Sequence, residues 1–104
     1  MIKCKITVLK RMFNQDLVRE YCASEADLCP VFTEGQEFIY EAYGDGNKPE
    51  GFCEQAWNDI YKYVLALSVN GNFTGWMKKD GINIVCCTDG LRPVVFKLER
   101  IETK

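Results

Sequence analysis

The chain has 104 residues, 47% of them hydrophobic and 27% charged, with six cysteines and no histidine. That suffices for one folded core, excludes disorder, and leaves a formal charge of −2 whose signs alternate along the chain, so no basic stripe exists to release counterions from a nucleic acid. The missing histidine removes Cys-His and Ser-His nucleophile pairs and every mixed Cys/His zinc site, leaving thiol, carboxylate and amine chemistry.

The N-terminal Met1 to Ile6 interrupts its apolar residues with Lys3 and Lys5 and offers no hydrophobic signal region. No apolar run approaches the roughly 20 residues that span a bilayer. The expectation is a single domain over 1–104, cytoplasmic, with no membrane or nucleic acid partner and with its thiols reduced.

Ile2, Cys4, Ile6 and Val8 alternate with Lys3, Lys5 and Thr7, which predicts a strand with one buried face. Asn14 is placed to cap a short helix whose Leu17, Val18 and Tyr21 share a face and which ends near Cys22. A polar connection follows, then Cys29-Pro30 and a turn at Thr33-Glu34-Gly35. Glu37 to Glu41 reads as a second strand with Phe38 and Tyr40 on one side. Gly44, Gly46, Pro49 and Gly51 make a loop.

From Cys53 to about Val69, Ala56, Ile60, Val64 and Leu67 recur at helical spacing, with Trp57, Tyr61 and Leu65 widening the stripe. Asn70-Gly71 ends this helix. Asn72 to Asp80 is a loop. Beyond it, Ile82, Ile84 and Cys86 predict one apolar strand face, and Val94, Phe96 and Leu98 the last. A two-residue turn at Asp89-Gly90 would set Asn83 opposite Phe96 and mix the faces, so a longer loop or a bulge is expected there, with Ile82 and Ile84 facing the same way as Val94 and Phe96. The sum is an α+β fold: one long central helix on a small, mostly antiparallel sheet, with a short extra helix near the N-terminus.

Three kinds of site compete. Cys29, Cys53, Cys86 and Cys87 all stand at element boundaries, where sulfur ligands for zinc or iron can converge, with Asp89 as an oxygen donor. Against this, no Cys-x-x-Cys pair occurs, and adjacent strand residues such as Cys86 and Cys87 face opposite ways. Alternatively, Cys53 at a helix start, or Cys87 near Arg92 and Asp89, is a reactive thiol of an enzyme or redox protein. Cys4, Cys22 and Cys86 read as small core residues. A third reading is a binding or interaction module, homo-oligomeric or taking a small ligand. Its aromatic rim would be Tyr40, Tyr43, Phe52, Phe73 and Trp76, with Arg92 to meet a carboxylate or phosphate. The bland alternative is that these rings close the ends of a small core.

The pattern Cys29-Pro30, Gly35 followed by Phe38, Pro49-Glu50-Gly51-Phe52-Cys53 with Ala56-Trp57, and Cys87-Thr88-Asp89-Gly90-Leu91-Arg92-Pro93-Val94 resembles a family of small bacterial and archaeal proteins of about this length. That family brings no activity to carry over. The resemblance implies that Cys29, Cys53, Cys87 and Asp89 belong to one motif, with Cys4 and Cys22 peripheral to it. The reading adopted is a cytoplasmic domain with a Cys29, Cys53, Cys87 and Asp89 site at the sheet edge that a metal would fit; the alternatives are a thiol enzyme or redox protein and a ligand-binding or interaction module.

Overall fold

A computed structural model describes residues 2–102; Lys104, one of the alternating terminal charges, lies outside the described residues. The chain runs β1 (Ile2–Arg11), α1 (Gln15–Tyr21), β2 (Glu37–Tyr40), α2 (Glu54–Ser68), β3 (Ile82–Cys86) and β4 (Val94–Glu102). The four strands form one sheet in the order β2-β1-β4-β3, and every neighbouring pair is antiparallel. The expected α+β class and antiparallel sheet are present.

The alternation in β1 buries Cys4, Ile6 and Val8 against α2, while Lys3 and Lys5 pair with Glu41, Glu37 and Glu99 on the open face of the sheet. The α2 stripe works as its spacing predicts: Ala56, Trp57, Ile60, Val64 and Leu67 are buried. At fifteen residues the helix is of ordinary length rather than long. Its end carries Asn70 at φ 68°, the left-handed position that asparagine tolerates. Arg100 of β4 secures that end by donating to the carbonyls of Leu67 (3.2 Å) and Gly71 (2.7 Å). A cation there complements the helix dipole. Among the described residues no helix is long and apolar enough to cross a membrane.

One core residue carries no periodic signal at all. Phe32, in the connection before β2, is 2% exposed and meets Phe38, Phe52 and Phe96 edge-on at centroid separations of 6.0, 5.0 and 5.2 Å. It plugs the end of the core that α2 does not reach, and so draws the Cys29 segment against the sheet.

Two local expectations change. In α1 only Val18 is buried, with Leu17 and Tyr21 exposed. Asn14 does occupy the position before α1, but its side chain makes no cap; its Nδ2 donates to the Gly90 carbonyl at 2.6 Å. The larger correction concerns β3. Val85 pairs with Phe96 and Asn83 with Leu98, so Asn83 and Val85 face α2 while Ile84 and Cys86 are exposed on the other side. The connection is longer than two residues, as expected, with Cys87 N–H donating to Val94 O at 3.1 Å. The register therefore moves by two residues from the tight hairpin, and an even shift leaves the mixed faces in place.

Candidate functional site

The hairpin end of the sheet brings three cysteines together from separate parts of the chain. Cys29 arrives on the segment held by Phe32, and Arg11 Nη1 donates to its carbonyl at 3.1 Å. Arg11 is itself fixed by Glu34, whose carboxylate accepts from Nε at 2.8 Å and is held below its ordinary range by that bond. Cys53 occupies the N-cap position of α2; its carbonyl accepts from Trp57 N–H at 2.9 Å, while its thiol makes no cap bond. Cys87 follows β3 directly, and its Sγ accepts from Val94 N–H at 3.3 Å. All three line one cavity of about 160 Å³, closed on its apolar side by Phe32, Ala56 and Val94.

Asp89 and Arg92 stand at the same cavity. One oxygen of Asp89, Oδ1, accepts from the backbone N–H groups of Leu91 (2.9 Å) and Arg92 (3.1 Å), which is an Asx-type turn. The other lies 3.5 Å from Arg92 Nε. Burial pushes this carboxyl up, but the two amides and the guanidinium more than offset it and hold the group below its ordinary value. Asp89 thus shapes the 88–93 loop and orients Arg92. The loop is tied down from outside as well, because Met12 and Asn14 N–H donate to Pro93 and Leu91 carbonyls at 2.7 and 2.9 Å.

The site therefore sits at the hairpin end and the start of α2 rather than along the sheet edge. Cys29, Cys53, Cys87, Asp89 and Arg92 share it. They do not form a ligand shell: among the described residues no group of three or more cysteine or acidic side chains is placed to hold a metal ion. The zinc or iron centre anticipated from the sequence thus lacks a preformed donor set. Asp89 already spends its oxygens on the loop and Arg92. Two other thiols differ from expectation: Cys86 is exposed and Cys22 half-buried at the end of α1, so of the three assigned to the core only Cys4 is there. Burial pushes the Cys4 thiol up to about 12.

The expected aromatic rim divides. Tyr40 and Phe52 are core residues, and Tyr43 is exposed elsewhere. Phe73 and Trp76 instead join Tyr63 of α2 in a second cleft of about 380 Å³ beside β3. Sequence reasoning missed two of its polar residues, Asp59 and Asn83. Asp59 lies on the polar margin of the α2 stripe, and Asn83 falls in a strand otherwise made of apolar residues and cysteine, which was the one available signal.

No family model matches this chain, nor does any curated protein or solved structure.

Proposed function

We propose that the protein acts through thiol chemistry in the cavity shared by Cys29, Cys53 and Cys87, as a thiol-dependent enzyme or redox protein acting on a small, mostly apolar molecule. The observation that carries this is the convergence of three half-buried cysteines from three chain segments on one small cavity. The three also pack against the edge of the core, so it is their reactivity that separates a chemical role from packing. The first turn of α2 contributes Gln55 and Ala56 to the wall, and amides at a helix start favour negative charge nearby. Arg92, paired with Asp89 at 3.5 Å, adds a cation to the lining. The motif positions singled out by the family resemblance coincide with the cavity lining, which supports treating them as a unit. The role is proposed for the cytoplasm, where thiols stay reduced. A zinc or iron role ranks behind it, because the donors would have to move together first.

The test is alkylation at neutral pH in a Cys22→Ser, Cys86→Ser background, with each site followed by mass spectrometry and elemental analysis of the same sample. The expected result is one cavity thiol that reacts faster in the folded protein than in the urea-unfolded chain. If all three react more slowly when folded, they are packing residues. Stoichiometric zinc or iron would replace the thiol reading with the metal one.

A further inference from the structure

The second cleft, independent of the thiol cavity, is bounded by α2, β3 and the 72–80 loop. Its apolar part is aromatic. Tyr63 and Phe73 stand 5.8 Å apart at 65°, and Phe73 and Trp76 6.0 Å apart at 51°. Trp76 is 71% exposed, so most of its indole is open to solvent at the cleft.

Its polar part is specific. Asn83 is 5% exposed and faces α2. Its Oδ1 accepts from Ile84 N–H at 3.0 Å, which orients the amide and leaves Nδ2 with no acceptor among the described residues. Nδ2 is not one of the buried polar atoms left without a partner, so it reaches solvent at the cleft, where water or a ligand can accept from it. Asp59 is oriented in the same way: Thr88 donates to Oδ2 from both N–H (2.8 Å) and Oγ1 (3.0 Å), and Oδ1 remains free among the described residues. Lys62 lines the same wall, its Nζ 5.1 Å from the Tyr63 ring centroid, so the wall carries one charge of each sign.

We propose that this cleft binds a neutral, planar, nitrogen-containing ring of the nucleobase type, as the free base or nucleoside. The ring face lies on Trp76 with its edge toward the tilted Phe73, the Asn83 amide donates to a ring carbonyl or ring nitrogen, and Asp59 Oδ1 accepts from a ring N–H or amino group. Each part has its chemical reason. Stacking needs a flat π-face and tolerates any base. One fixed donor and one fixed acceptor match the polar edge of such a ring. A sugar fits less well, since a carboxylate that grips paired hydroxyls uses both oxygens and Asp59 has given one to Thr88. An anionic ligand gains little where Asp59 and Lys62 balance.

Calorimetric titration of the whole chain with adenosine, guanosine, cytidine and uridine tests this, with glucose and galactose as comparison ligands. The expected result is saturable binding of at least one nucleoside at millimolar concentration or below, and of neither sugar. Trp76→Ala, at an exposed position that the fold does not need, should weaken it about tenfold or more. Asn83→Ser, which shortens the side chain and withdraws the amide donor, should also weaken it, with circular dichroism confirming the fold. Absence of nucleoside binding, binding indifferent to Trp76→Ala, or preference for a sugar would each overturn the proposal.

Discussion

Two ionisable side chains in the core give the fold an alkaline limit. Cys4 is fully buried, and desolvation raises its thiol from 9.0 to about 12. Tyr40 is raised from 10.0 to about 12, first by burial and then by its hydroxyl contact with Tyr61 at 3.5 Å. In both cases the folded state holds its proton to higher pH than the unfolded chain does. Stability is therefore undiminished below the unfolded values and falls as pH rises from about 9 toward 12. Urea midpoints measured across that range should drop steadily, and a Cys4→Val variant should lose less over the first part of it. A midpoint that stays flat would mean that these groups are not buried as described. Cys4 was legible as a core residue because strict alternation surrounds it in β1. Cys22 and Cys86 were not, because cysteine's general preference for burial says nothing about which side of an edge strand or helix end a given residue takes.

Among the elements, strong periodicity carried through and weak periodicity did not. The α2 span and its buried stripe follow directly from Ala56, Ile60, Val64 and Leu67. In β3, Ile82-Asn83-Ile84-Val85-Cys86 contains a single polar residue, so the pattern alone cannot fix the inward face. What fixes it is the 88–93 loop, whose length sets Cys87 opposite Val94. With the register so determined, Ile82, Ile84 and Cys86 present their backbone groups to the free edge, where the Asn83 side chain occupies one N–H. The loop in turn depends on the joint between β1 and α1. Asn14→Ala removes the 2.6 Å bond to the Gly90 carbonyl. It should cost about 1 kcal/mol in unfolding free energy and speed alkylation of Cys87 by loosening the cavity wall. An unchanged Cys87 rate would show that the loop holds its shape without this contact.

At the scale of the whole molecule, tertiary structure adds what spacing along the chain cannot. Phe32 brings the Cys29 segment to the start of α2, and the β3–β4 hairpin brings Cys87 to the same place. The motif residues were legible one by one, at element boundaries. Their shared cavity, the commitment of Asp89 to loop shape, and the second cleft at Asn83 all depend on contacts between distant segments. A preformed metal shell needs closer donor spacing than the fold supplies among the described residues. The proposed thiol chemistry requires three neighbouring free thiols, and a fluorogenic bifunctional thiol reagent such as dibromobimane reads that directly. Reacted with the native protein and mapped by peptide mass, it should bridge two of Cys29, Cys53 and Cys87 and produce fluorescence. Bridges that instead involve Cys22 or Cys86, or single attachment with no bridge at all, would contradict a shared thiol cavity.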